Sequence, residues 1–254
     1  MRGRLVTTFF GMSTLASSPH AMTTLLSHRS SLHPETTRLI LASQSPRRRE
    51  IFDLMGLEKN YEVIVSGFPE NLDKQLYLGD GGPARYARDN AVCKAREVMM
   101  RIQRDGGGPL PLKTIVVGSD TIVDLDGIIL EKPSTPEEAK DMLRRLSGRE
   151  HLVHSGVGIF CEEKESTEAK HEPSIQFSET TRVKFGNLNE VDIAEYVASG
   201  EPMDKAGSYG IQGLGGQFVD GIEGCYFNVM GFPMRRFSTA LTSLLQEGAG
   251  AGEG

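Results

Sequence analysis

The chain has 254 residues, 38% of them hydrophobic and 24% charged, a composition that supports one large folded domain or two small ones. No run of about 18 apolar residues suggests a membrane span. A net charge of −6 excludes a general nucleic-acid binder, whose surface must be basic overall, but leaves room for a small anionic ligand in a local basic pocket.

Residues 1–36 differ from the rest: they carry Arg2, Arg4 and Arg29, many Ser and Thr, and no acidic residue before Glu35. Such a stretch reads as an organelle transit peptide, a disordered extension or a start codon placed too early. Residues 247–254, all Gly, Ala or Glu, read as a frayed tail, which leaves 37–246 as the folded domain.

Within it, Arg38–Ala42 is a short apolar run, expected as a buried strand. A helix follows with Ser45 as N-cap, Pro46 at its first position and Gly56 as its stop. Tyr61–Ser66 reads as a second strand, and Pro83–Arg101 as a helix with Ala87, Ala91 and Ala95 along one face. Asp105–Leu112 is a loop. Thr114–Gly118 and Thr121–Leu125 read as two strands, and Asp126-Gly127 as a hairpin turn before Ile128–Leu130. Thr135-Pro136-Glu137-Glu138 opens a helix that buries Ala139, Met142, Leu143 and Leu146 and stops near Gly148. Two long strands, His151–Cys161 and Ile175–Phe185, precede helices at Glu190–Ser199 and Met234–Leu245. Strands and helices mix without a strict βαβ repeat, so the expected class is α/β with a mixed sheet.

Four segments can carry chemistry. In Ser43-Gln44-Ser45-Pro46-Arg47-Arg48, two arginines stand in the first turn of a helix, where the helix itself prefers acidic residues. An anion held by the guanidinium groups and free backbone N–H groups removes that conflict; solvated arginines on a capped helix are the alternative. Gly118-Ser119-Asp120-Thr121 sets a carboxylate between two apolar runs, where it is either satisfied by a local turn or binds a cation or takes a proton. Lys132, just past the hairpin, can fold back towards Asp120 or stay solvated. Glu201–Gly213, with Asp204, Lys205 and Gln212 among several glycines, reads as a loop that approaches a ligand or as plain surface. A Gln amide both donates and accepts, as reading a base edge requires. There is no phosphate-binding G-x-x-x-x-G-K-[ST] loop, no H-E-x-x-H pair and no G-x-S-x-G elbow. The scattered histidines give no support to a serine nucleophile. Three separated cysteines suggest free thiols in a reducing, cytoplasmic compartment.

Taken together, Leu41-Ala-Ser-Gln-Ser-Pro-Arg-Arg48, Gly118-Ser-Asp-Thr121, Glu131-Lys-Pro133, Leu146-Ser-Gly-Arg-Glu-His151, Asp204-Lys-Ala-Gly-Ser-Tyr-Gly-Ile-Gln-Gly213 and Asn228-Val-Met-Gly-Phe-Pro233 resemble the Maf family of nucleoside triphosphate pyrophosphatases. The resemblance spans about Arg38 to Leu245. It implies an elongated mixed sheet with flanking helices, two lobes around a nucleotide-binding cleft, and often a homodimer. It also implies cleavage between the α and β phosphates with Mg²⁺ or Mn²⁺. On matching positions Ser43, Arg47 and Arg48 would hold phosphates, Asp120 would be the catalytic carboxylate, and Lys94 and Lys132 further cations. Glu70 would assist Asp120 with metal or water. Tyr209-Gly-Ile-Gln-Gly213 resembles the branch acting on dTTP and UTP, with Arg47, Thr121 and Gln212 setting base preference. A nucleotide-binding regulator of cell division that does not hydrolyse, and a pyrophosphatase selective for modified purines, are the competing readings.

Overall fold

The computed structural model describes residues 25–105, 113–163 and 172–249. The first apolar run forms β1 (Thr37–Leu41), and Pro46 opens α1 (Pro46–Leu54) as expected, with Gly56 at φ 74° just beyond its end. β2 (Glu62–Val63) is much shorter than Tyr61–Ser66 because only Ile40 and Leu41 of β1 lie beside it. α2 (Gly82–Arg104) leads to β3 (Lys113–Leu125), which turns at Asp126-Gly127 into β4 (Ile128–Leu130). Both turn residues have positive φ, as a two-residue hairpin requires. α3 (Pro136–Leu146) starts where Thr135 accepts from the Glu138 N–H, and buries the four apolar residues its spacing predicts. β5 (Glu150–Glu163), β6 (Ile175–Phe185), α4 (Glu190–Ala198), β7 (Val219–Glu223), α5 (Tyr226–Met230) and α6 (Met234–Ala249) complete the order.

Seven strands make one mixed sheet in the order β2-β1-β3-β5-β6-β7, with β4 on the free side of β3. β1 runs parallel to β2 and β3, and the other neighbours are antiparallel. The expected α/β class with a mixed sheet and flanking helices is what forms. Residues that alternate along β3 divide its two faces. Ile115 and Val117 join the core under α1 and α6, with Phe52, Phe232 and Phe237. Val123 and Leu125, on the same face further along, join the core under α3 and α4. Two lobes therefore share one face of the sheet, and α2 packs across the other with Val92, Ala95 and Val98.

Three expectations change. Gly118–Thr121 is no break between strands: β3 runs through it without interruption. Gly118 is there for packing, since a Cβ on it would lie 2.1 Å from the Ala91 carbonyl of α2. Of the extension assigned to residues 1–36, Leu25–Leu32 is a 3-10 helix whose Leu25 and Leu32 are buried in the α6 core, and Thr37 caps that contact by donating to Ser31 O. Residues 1–24, most of the Asp105–Leu112 loop and residues 250–254 lie outside the described residues, while α6 continues to Ala249. β7 and α5 were not foreseen. Among the described residues no helix is long and apolar enough to cross a membrane, and the three cysteines form no disulfide.

One buried group ties stability to pH. His151 on β5 sits edge-on to Phe185 and Tyr209, with Nε2 2.8 Å from the Tyr209 hydroxyl, and burial pushes its pKa down to about 4. The unfolded chain binds a proton there below about pH 6.5 and the folded chain does not. Stability is therefore complete above that pH and falls as pH drops towards 4, by about 2 kcal/mol at pH 5. Urea unfolding at pH 7 and pH 5 should show His151→Gln losing that much of the difference; an equal difference in both proteins would refute the assignment.

Candidate active site

β1 ends at Leu41, and β4 joins β3 only from Val123, so the stretch of β3 between Val117 and Val123 has no strand beside it on that side. The gap opens a cleft of about 510 Å³ between the lobes. Asp120, Lys94, Lys132, Glu70, Ser43, Arg47, Arg48, Thr121, Asp204, Lys205 and Gln212, the eleven residues singled out above, all line it. They come from the β1–α1 turn, α1, the segment between β2 and α2, α2, β3, the segment after the hairpin and the Glu201–Gly213 segment, and only tertiary packing brings them together.

Asp120 and Lys94 meet because α2 lies very close to the sheet. Gly118 and Gly158 face Ala91, Val92 and Ala95, and Gly156 faces Ala87; a Cβ at Gly156 would sit 2.2 Å from the Ala87 carbonyl. This seat brings Lys94 Nζ to 2.7 Å from Asp120 Oδ1 and 3.0 Å from Glu70 Oε2. Lys94 and Asp120 are both buried, whereas Glu70 is exposed. Glu70 is also held at φ 51°, a left-handed conformation that costs a non-glycine residue roughly 1–2 kcal/mol. The chain accepts that strain where the carboxylate reaches the lysine.

On the other side, Arg48 donates from Nε to Gly231 O, from Nη1 to Ser43 Oγ and from Nη2 to Thr121 Oγ1, at 3.0, 3.0 and 3.1 Å. All three acceptors are neutral. Desolvation lowers its pKa, opposed by the negative charges of Asp120 and Glu70, and no described carboxylate pairs with it directly. A guanidinium carries five N–H donors, so Arg48 can still bind an anion while it fixes the walls of the cleft. Its anchor is firm: Asn228 donates to Val153 O and Thr181 Oγ1, Ser155 donates to Asn228 O, and Thr121 Oγ1 lies 3.1 Å from Gly231 O.

Arg47 crosses the cleft mouth to Asp204, with Nη1 2.9 Å from Oδ2 and Nη2 donating to Asp204 O. Lys205 donates to Asp204 Oδ1 and to Glu201 O. Burial opposes charge on Asp204, but the hydrogen bonds from Lys205 and Arg47 outweigh it and hold its carboxyl below the usual range. Lys132 is exposed on the rim, and among the described residues no carboxylate pairs with it. Gln212 donates to Glu50 Oε1 at 3.1 Å. The sequence reading missed the Gly231 carbonyl, Ser155 and Glu50. Gly231 lies in a noted motif but acts through its backbone, and Glu50 follows Arg47 by three positions on the same face of α1.

Residues 38–244 match the family model described as Maf-like protein. A human protein described as a probable bifunctional dTTP/UTP pyrophosphatase/methyltransferase protein is 46% identical over 212 residues, 82% of this chain and 32% of that protein. The dTTP/UTP pyrophosphatase of Clostridium beijerinckii is 39% identical over 207 residues, 82% of this chain and 99% of the relative. The dTTP/UTP pyrophosphatase of Thermococcus onnurineus is 45% identical over 196 residues, 77% of this chain and 92% of the relative. The chain thus spans about a third of the human relative and nearly all of the two microbial ones. Since the match takes in both lobes and every segment that lines the cleft, the chain belongs to the Maf family.

Proposed function

We propose that this protein hydrolyses dTTP and UTP, together with modified pyrimidine triphosphates, to the nucleoside monophosphate and pyrophosphate, clearing unwanted nucleotides from the pool. The observation that carries this reading is one cleft in which Arg48, with only neutral partners, faces a Lys94–Asp120–Glu70 cluster. The first binds an anion and the second can handle a proton. The printed names of the relatives supply the substrate.

In this mechanism Arg47, Arg48 and Ser43 hold the phosphate chain, with Lys132 and Lys205 on the rim. Water attacks the α-phosphorus, and the bond to the oxygen bridging α and β phosphates breaks. Asp120 accepts the proton from that water, and Lys94 holds the carboxylate in place. The cations neutralise charge as it moves onto the departing pyrophosphate, which is the main resource of such reactions. Asp120 and Glu70 would hold Mg²⁺ or Mn²⁺. Both are hard oxygen donors brought to one point at Lys94 Nζ, and among the described residues no larger group of His, Cys, Asp and Glu converges. Two carboxylates completed by phosphate oxygens and water suit these ions. When bound, the ion neutralises charge on the phosphate oxygens.

Incubation of the purified protein with dTTP, UTP, 5-methyl-UTP, CTP, ITP and 7-methyl-GTP tests the reading. The expected result is fastest turnover of dTTP and UTP, with pyrophosphate and monophosphate as products. Binding without turnover would make the protein a nucleotide sensor, and purine preference would move it to another substrate class. Release of orthophosphate would contradict attack at the α-phosphorus.

A further inference from the structure

Glu50 lies outside the lining of the cleft, yet its carboxylate meets Gln212, which is part of that lining. The two residues reach each other from different sides: Glu50 from the exposed face of α1, one turn beyond Arg47, and Gln212 from the segment that follows Asp204 and Lys205. A carboxylate only accepts hydrogen bonds, so the end of the Gln212 amide that faces it must be the nitrogen. The opposite orientation would set two oxygens against each other, which is repulsive. One of the two Nε2 hydrogens is spent on Glu50, and Oε1, the amide's acceptor, is held away from the carboxylate.

We infer that Glu50 is a positioning residue for base selection: by fixing the Gln212 amide with its oxygen towards the cleft, it favours thymine and uracil over cytosine. The inference rests on the proposed pyrimidine triphosphate substrate with Gln212 at the base. Thymine and uracil carry N3–H, a donor that an amide oxygen accepts. Cytosine presents a bare N3, an acceptor, which meets only the second Nε2 hydrogen unless the amide turns round. Turning it breaks the bond to Glu50 and brings Oε1 against the carboxylate. Discrimination thus arises as much from the penalty on the wrong orientation as from the bond to the right base.

Steady-state kinetics with dTTP and dCTP on the full chain test this, using wild type, Glu50→Gln, Glu50→Lys and Gln212→Ala. An amide at position 50 can face either orientation of Gln212, so Glu50→Gln should lower the dTTP:dCTP ratio of kcat/KM by about tenfold, the worth of one net hydrogen bond. A lysine there donates to Oε1 and turns the Gln212 nitrogen to the cleft, so Glu50→Lys should lower the ratio further, with dCTP gaining as dTTP loses. A merely structural role would lower both nucleotides together, and that result would overturn the inference. If wild type prefers dTTP, Gln212→Ala abolishes the preference and both Glu50 variants keep it, the role of Glu50 alone is wrong. If wild type turns over dTTP and dCTP equally, this inference fails while the pyrimidine reading stands; if it turns over neither, the pyrimidine reading itself fails and this inference fails with it.

Discussion

Asp120→Asn should lower kcat for dTTP by about 100- to 1000-fold or more, the usual cost of removing a group that acts in the transition state. Asparagine has nearly the same shape, and its oxygen can still accept from Lys94 at the 2.7 Å position of Oδ1. The fold should survive, and circular dichroism should match wild type. KM for dTTP should stay level or fall. Asp120 is a negative charge in a cleft that binds a polyanion, and it also balances the field of the desolvated Arg48. Its removal leaves Arg48 and Lys94 less compensated and the triphosphate less repelled. A fall in kcat without a rise in KM separates a catalytic carboxylate from one that merely shapes the pocket. A purified Asp120→Asn protein that turns over dTTP at the wild-type rate would refute the role.

The second large effect lies away from any phosphate. In Gly156→Ala the new methyl group would meet the Ala87 carbonyl oxygen at 2.2 Å, the Ala87 carbonyl carbon at 2.3 Å and Arg88 Cα at 2.4 Å. These are backbone atoms of a long helix, so no side chain can swing aside. α2 must move off the sheet, and its contacts with β3 and β5 loosen together. Overpacking of this kind costs about 3 kcal/mol, and for a domain of this size that lowers Tm by roughly 10 °C. The folded fraction should also be less active than its amount predicts, because the same shift draws Lys94 Nζ away from Asp120. Thermal unfolding with kcat measured well below Tm checks both parts. An unchanged Tm would mean that α2 is not seated on these glycines as described.

Local rules carried much of the fold. α3 was legible because its cap, first-turn acids and apolar spacing all lie between Thr135 and Leu146. Asp126-Gly127 was legible because only a few residue pairs tolerate two positive φ angles in succession. The stretch Gly118–Thr121 misled because a glycine beside Ser and Asp looks like turn chemistry, while its reason is the approach of a helix distant in sequence. β7, with Asp220 and Gly221 in a five-residue strand, has no periodicity to read and is fixed by pairing with β6. For the site, residue type and motif order pointed to the eleven lining residues. They could not show that Arg48 leans on a backbone carbonyl 183 residues away, or that Gln212 is oriented by Glu50. Such contacts depend on where chain segments cross, and no local pattern records that.

The gap in the sheet has one more consequence. An open strand edge ordinarily invites another chain to add a strand, with aggregation as the outcome. Here the edge of β3 between Val117 and Val123 is exposed to the cleft but stopped at both ends, by Ala42, whose N–H donates to Val117 O, and by Leu130 of β4. An extended peptide needs a free run in both directions to come into register, and the chain's own backbone occupies both. The sheet is open to a compact nucleotide and closed to a polypeptide.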